Sequence, residues 1–467
     1  MFEASTYQGR RRALMDQIDG GLVLFMGHDE SPRNYAGNPY PFRQDSSFLY
    51  FTGLQKPGLA LLLDVDEGRE ILFGPSSSLD DVVWMGPQPS LSELAASAGI
   101  ANTAVEGALA NNLDEARAAG RQIHFLPPNR GETILQLGRL LGRPPEVAAL
   151  KASEMLIRAV VALVSHKTPE EVEQLKEAVN ISGHMHVSAI RKARTGMREA
   201  ELAGLVEGMA VAEGGGLAYP VILTVHGEVL HNHHHHNILQ PGQLVLGDFG
   251  AETPMGYAGD ITRTFPVSPT FSEQQKAIYQ LVLDAQLAAL GALKPGVLYR
   301  DVHLLASKVI AKGLVELGLM KGEAEEAVAA GAHALFFPHG LGHLIGLDVH
   351  EMEGLGEDYV GYTSELKRSN QFGLKSLRLA RALEPGFALT VEPGIYFIPP
   401  LIERWKAERK FESFIAYDKL DSYLDFGGVR IEDDVLITED GYELLGNPIP
   451  KTIEAVEQLR AEGLHTH

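Results

Sequence analysis

Leu244-Val245-Leu246-Gly247-Asp248, then Thr253-Pro254-Met255-Gly256, then Tyr257-Ala258-Gly259-Asp260-Ile261-Thr262-Arg263-Thr264-Phe265 reads as two strands joined by a turn. The first run is apolar up to its final acid, and the second is rich in β-branched and aromatic residues, as strands are. Thr253, Pro254 and Gly256 are turn formers. A hairpin centred on Pro254 sets Asp248 directly opposite Asp260, on one face of the sheet, with Cβ atoms ~5 Å apart. Two carboxylates that close repel each other unless a cation lies between them. Standing alone, such a pair would be better read as two turn acids on a solvated hairpin.

The pair does not stand alone. Pro338-His339-Gly340-Leu341-Gly342-His343-Leu344-Ile345-Gly346-Leu347-Asp348-Val349-His350 holds three histidines among apolar residues and glycines that allow close backbone approach. Thr390-Val391-Glu392-Pro393-Gly394 and Gly427-Gly428-Val429-Arg430-Ile431-Glu432-Asp433 each end a strand with a carboxylate. In the latter, Arg430 and Glu432 fall on one strand face, because side chains repeat every two residues. Asp248, Asp260, His343, Glu392 and Glu432 are thus candidate ligands, each in a stretch that reads as a strand or strand end. Four carboxylates and one imidazole form a hard, oxygen-rich set suited to a pair of Mn²⁺, Co²⁺ or Zn²⁺ ions. Two such ions about 3.5–4 Å apart can make a nucleophile of water at neutral pH.

The whole chain is consistent with an enzyme of this kind. At 467 residues it is too long for one ordinary core, so two domains are expected. A formal charge of −21 argues against a nucleic-acid partner, since phosphate binding needs a basic face. The absence of cysteine removes disulfides and thiol catalysis. Met1-Phe2-Glu3-Ala4 does not open a signal peptide, and no apolar run reaches the ~20 residues of a membrane span, so a cytoplasmic enzyme is expected.

Short apolar runs at Gly21–Gly27 and Leu59–Val65 read as buried strands, and Leu91–Ala98 and Gly131–Leu141 as helices, giving a first α/β domain. A long helix is expected over Val147–Val164. Thr168 then reads as an N-cap and Pro169 as the first helical residue, which puts the boundary between residues 1–165 and 166–467. Beyond it, helices are expected at about 170–194, 197–213, 272–293 and 299–317, and a polar loop from Gly354 to Asn370.

Taken in order, these motifs resemble the metallopeptidases of the aminopeptidase P and prolidase family. Tyr40-Pro41-Phe42-Arg43-Gln44-Asp45-Ser46-Ser47-Phe48 with Phe51-Thr52-Gly53 extends the resemblance into the first domain, so it covers nearly the whole chain. It implies an α/β class with two domains: an amino-terminal creatinase/aminopeptidase P-type domain and a carboxy-terminal pita-bread (α+β) catalytic domain. It also implies two divalent ions, most simply Mn²⁺, held by Asp248, Asp260, His343, Glu392 and Glu432, with Asp260 and Glu432 bridging both. Glu392 would serve as general base and then acid. His231, in Val229-Leu230-His231, with His339 and His350, would donate hydrogen bonds to the substrate carbonyl, and Arg430 would steady that polar wall. The interval between Asp248 and Asp260 is one residue longer than the family pattern, which implies a bulge or longer turn at Thr253-Pro254.

The substrates implied are small peptides with proline second, and the oligomer a homodimer paired through the first domain. A pita-bread module without catalysis would have lost a ligand, and none is lost. Metal-free creatine-type hydrolysis is disfavoured on the same ground, and methionine aminopeptidase activity by the long first domain and the Gly346–His350 continuation. Within the family, the first domain looks more like an aminopeptidase P. Gly373-Leu374-Lys375-Ser376-Leu377-Arg378-Leu379-Ala380-Arg381 and the insert from Phe397 to Gly427 look more like a prolidase, in which Arg378 would bind the dipeptide carboxylate. Arg378 and Arg381 also have the spacing of one helix face. Xaa-Pro aminopeptidase is the slightly preferred reading. His233-His234-His235-His236 reads as a solvated loop, with an accessory metal or a pH-sensitive lip as the sharper alternative.

Overall fold

The computed structural model describes residues 1–76, 79–149 and 151–465. The chain separates into two compact units, Met1–Ser165 with Met352–Val360, and His166–Glu351 with Gly361–His467. Met352–Val360 lies within the stretch read as second domain yet packs with the first unit. It forms a 3₁₀ turn, Glu353–Leu355, and a short helix, Glu357–Val360, so the loop expected from Gly354 to Asn370 is partly ordered structure. The Arg158 guanidinium lies over the Tyr359 ring at 5.1 Å, a contact that hydropathy cannot signal.

In the first unit a five-stranded sheet runs in the order Asn102–Val105, Arg69–Gly74, Ala60–Asp64, Leu22–Met26, Ile123–Phe125. Its three middle strands pair antiparallel and the two outer ones parallel. Leu22, Leu24, Leu62 and Phe73 on the sheet pack with Leu113 and Leu137 from the helices Ala108–Ala118 and Gly131–Leu140. The long helix expected over Val147–Val164 is instead two, Pro145–Ala149 and Glu154–Val164. Ser153 starts the second by accepting the Leu156 N–H, while its own N–H donates to Phe125 O on the sheet edge.

The second unit has two three-stranded antiparallel sheets. One is ordered Thr262–Pro266, Leu244–Asp248, Ile222–Thr224, the other Ala388–Val391, Asp433–Ile437, Tyr442–Leu444. Gly394–Tyr396 pairs separately with Gly428–Arg430. Of four long helices, Pro169–Lys192 packs along Glu199–Glu213 and Tyr299–Glu316 along Glu273–Ala292, while Glu199–Glu213 and Glu273–Ala292 pack on these strands. The first begins as its sequence predicts, with Pro169 in the opening turn and Glu171 reaching back to the Thr168 N–H. Among the described residues, no helix is long and apolar enough to cross a membrane.

Candidate metal centre

The hairpin carrying the first two acids turns one residue later than expected. Asp248 pairs with Thr262, and the same register runs on through Phe249 N to Ile261 O and Gly259 N to Ala251 O. The turn is a three-residue loop of Pro254, Met255 and Gly256, closed by Thr253 N to Tyr257 O at 2.9 Å, with Gly256 left-handed at φ 86°. The longer turn implied at Thr253-Pro254 is this loop. Asp260 therefore lies diagonal to Asp248, not opposite it. The register moves by two positions, so both carboxylates keep the same face. The Tyr219 hydroxyl joins them, 2.8 Å from Asp248 Oδ1 and 2.5 Å from Asp260 Oδ1.

His343 is not in a strand. It lies in an irregular segment held along Ala388–Val391 by Thr390 N to His343 O at 2.9 Å and Ile345 N to Ala388 O at 3.0 Å. Close approach depends on Gly342, where a Cβ would collide with the Thr390 carbonyl. Glu392 and Glu432 likewise occupy interruptions. Val391 faces Asp433 in one sheet, and Gly394 faces Arg430 in the next pair. Either register, carried across the break, sets Glu392 opposite Glu432 where both chains leave one sheet for the other.

The side chains converge. His343 Nε2 is 3.4 Å from Asp260 Oδ2 and 3.6 Å from Glu392 Oε1. Asp260, His343 and Glu432 offer donor atoms that all lie within 4.8 Å of one another. Arg430 and Glu432 do share a face, since both reach the Thr262 hydroxyl, at 3.1 and 2.6 Å. Arg430 also pairs with Asp248 and donates to Tyr396 OH at 2.8 Å. The Tyr396 hydroxyl lies 2.8 Å from His339 Nε2, whose Nδ1 is 2.8 Å from Gly340 O. A carbonyl only accepts, so Nδ1 carries the proton and Nε2 accepts from the phenol, which leaves His339 no N–H for the substrate carbonyl to which the resemblance assigned it.

The electrostatics favour bound cations. Burial pushes all four carboxyls upward: Glu392 to about 8, Glu432 well above the usual carboxylate range, and Asp248 and Asp260 above theirs. Arg430 opposes the rise in each, while the acids add to it in one another, Glu432 most plainly. Burial also pushes His339 down to about 3, with Arg430 adding to the effect. His343 Nδ1 faces the Leu344 carbonyl at 3.0 Å, so its lone pair on Nε2 points at the carboxylates. A lone pair aimed at carboxylate oxygens is repulsive unless an electrophile sits between them. One guanidinium among four carboxylates and an imidazole so oriented fits divalent metal ions.

At the periphery, the His350 ring meets the His343 ring edge-to-face at 4.3 Å and acts electrostatically on Asp260. His231 is exposed on one side; partial loss of hydration on the other lowers it, Asp248 opposes this, and Arg430, Arg378 and His233 lower it further. Arg378, partly buried, acts on both His231 and Glu392. It is not on a helix. The 3₁₀ turn Leu374–Ser376 ends before it, and its neighbours are gripped by Tyr362 OH to Leu377 O at 2.6 Å and Ala380 N to Gly361 O at 2.9 Å. In the histidine run, His235 Nε2 is 3.1 Å from Val221 O, and the His234 and His236 rings are 6.1 Å apart. Tyr219 and Tyr396 escaped sequence reasoning. Tyr219 adjoins Pro220 and Tyr396 lies three residues past Pro393, with no spacing that marks a phenol as reaching an acid.

Comparison with known proteins identifies the family. The family model of Metallopeptidase family M24 matches residues 173–439, and that of Aminopeptidase P, N-terminal domain, matches residues 7–124. The human Xaa-Pro dipeptidase is 32% identical over 452 residues, covering 95% of this chain and 89% of that protein. A probable Xaa-Pro aminopeptidase of Verticillium alfalfae is 34% identical over 441 residues, covering 94% and 92%. The zinc-substituted aminopeptidase P of E. coli in complex with product superposes with a TM-score of 0.81 at 30% identity, over 99% of both chains. With the family pattern spanning over half its length and such relatives along nearly all of it, the chain belongs to metallopeptidase family M24.

Proposed function

We propose that the protein is a di-metal exopeptidase that hydrolyses the bond between an amino-terminal residue and proline. The observation that carries this reading is the gathering of Asp248, Asp260, His343, Glu392 and Glu432 around a centre whose four acids share the Arg430 guanidinium, with Arg378 acting on Glu392 from the side. Two divalent ions, Mn²⁺ in preference to Co²⁺ or Zn²⁺, would be held by these five and would supply a Lewis acid and an activated water. Asp260 and Glu432 would contribute to both ions. Glu392 keeps 17% of its side chain exposed, which suits a group that takes the attacking water's proton and returns it to the prolyl nitrogen. His350 and His231 donate hydrogen bonds to the substrate carbonyl and the tetrahedral intermediate. His339 is fixed by Gly340 and Tyr396 and, with Arg430, keeps that wall in place.

Xaa-Pro aminopeptidase is the reading we favour, in line with the E. coli aminopeptidase P structures that match along the whole chain. The placement of Arg378 beside His231 and Glu392 favours Xaa-Pro dipeptidase as the second reading, because a guanidinium there could bind a dipeptide's free carboxylate. The expected setting is a cytoplasmic homodimer acting on small peptides. The deciding experiment adds Mn²⁺ to metal-stripped protein and compares hydrolysis of a Xaa-Pro dipeptide with that of a Xaa-Pro-Xaa tripeptide. Faster tripeptide cleavage supports the aminopeptidase. Dipeptide-only cleavage makes it a dipeptidase, and cleavage of neither sinks the reading.

A further inference from the structure

His350 follows a loop whose shape is set from outside the centre. The loop leaves the Ala388–Val391 strand at Ile345 and is closed by Glu351 N to Leu344 O at 2.9 Å. The Glu351 carboxylate folds back under it, accepting the Leu347 N–H at 3.2 Å, and lies so close to Gly346 that a Cβ there would collide with it. The other carboxylate oxygen is 2.7 Å from Lys167 Nζ, and these two side chains are 1% and 2% exposed. Lys167 is itself fixed, its backbone N–H donating to Gly386 O at 2.8 Å just before the helix Pro169–Lys192 begins. In the first turn of that helix, Glu171 accepts from Tyr257 OH at 3.1 Å, and Tyr257 stands just after the hairpin loop, three residues before Asp260. The His350 loop and this arm of the hairpin also touch directly, Ala258 N donating to Gly346 O at 2.8 Å.

We infer that the buried Lys167–Glu351 pair is a positioning device for catalysis, holding the loop that carries His350 in register with the acid-bearing hairpin. Neither residue touches the centre. Their effect runs through His350, so the inference rests on His350 being a substrate contact as proposed above. A buried pair of opposite charge is an expensive way to gain stability, but removing Lys167 leaves the Glu351 carboxyl without the cation that anchors it, so it takes up a proton or moves toward water. Either change loosens the anchor of the loop, and movement toward water drags its neighbour His350 and releases the Leu347 N–H. A misplacement of about 1 Å at a catalytic group can cost on the order of 10²-fold in rate.

The test is a double-mutant cycle with metal analysis. Lys167→Met in metal-replete enzyme should lower kcat on the order of 10²-fold while KM and metal content stay near wild type, and Lys167→Arg should recover most of the loss. In a His350→Ala background, Lys167→Met should cost almost nothing further. If Lys167→Met does not fold, the milder Glu351→Gln, which keeps an acceptor for Leu347, takes its place in the same cycle with an expected loss of about tenfold. A folded variant with unchanged kcat overturns the inference. So does a loss that persists in full without His350, or one that tracks lost metal. A fully active His350→Ala would instead overturn the reading of His350 itself, and this inference with it.

Discussion

Removing the metals should make the protein's stability fall as pH rises. Glu392 titrates near 8 in the metal-free fold against 4.5 for an ordinary glutamate, because its surroundings are dry and Asp260 and Asp248 stand beside it. Between those values the folded chain keeps a proton that the unfolded chain has released. Stability therefore declines as pH rises through that window, the opposite of the usual salt-bridged acid. Moving one ionisation midpoint from 4.5 to about 8 corresponds to about 5 kcal/mol, an upper figure because the site can relax or admit water. Asp248, Asp260 and Glu432 shift in the same direction and add to the slope. For a domain of this size the loss amounts to a fall in melting temperature on the order of 10 °C between pH 5 and pH 8. With divalent ions bound, the carboxylates hold metal in place of protons, and the decline should disappear. Scanning calorimetry of chelator-treated and Mn²⁺-loaded protein across that range would show it. Parallel pH profiles for the two forms would refute the claim that these acids are uncompensated without metal.

Replacing Asp260 by Asn should reduce metal content and lower activity by orders of magnitude, because an amide cannot supply the anionic oxygen proposed to be shared by the two ions; elemental analysis beside a peptidase assay checks both. His350→Ala and His231→Ala should retain their metals and lose about 10²–10³ in kcat, the usual cost of an oxyanion-type donor. Loss of metal in either variant would show that a ligand had been misread as a substrate contact. Arg378→Ala should cost a dipeptidase tens to thousands-fold on dipeptides, since an unpaired carboxylate in a partly dry site costs ~2–5 kcal/mol. In an aminopeptidase it should barely change tripeptide cleavage, and equal loss on both substrates would make Arg378 structural.

What could be read from the sequence follows the range of the forces involved. The helices Pro169–Lys192 and Glu273–Ala292 were visible because their caps and apolar spacing lie within a few residues. The break before Glu154 was not, because it depends on Ser153 meeting Phe125 across the fold. Met352–Val360 is polar in sequence, and its ordering comes from its contacts within the first unit. In the centre, residue types announced the acids and His343, whereas Tyr219 and Tyr396 are defined only by what they reach in space.

The hairpin shows why an error in pairing left the chemistry readable. Centring the turn on Pro254 misplaced the partner of Asp248 by two residues, and a displacement of two returns every side chain to its own face. A displacement of one would have put Asp248 and Asp260 on opposite faces and hidden the centre. The interruptions at Glu392 and Glu432 obey a related constraint. Both chains leave the Ala388–Val391 sheet together and re-pair with their register intact, so two acids forty residues apart in sequence still come face to face. A strand continuing straight through would have committed both positions to ladder hydrogen bonds, whereas here Glu392 N donates to Leu341 O and Glu432 N to Thr262 O. Those two bonds tie the glutamates to the histidine segment and to the Asp248–Asp260 hairpin. The breaks in the sheets are therefore what joins three separate motifs into one centre.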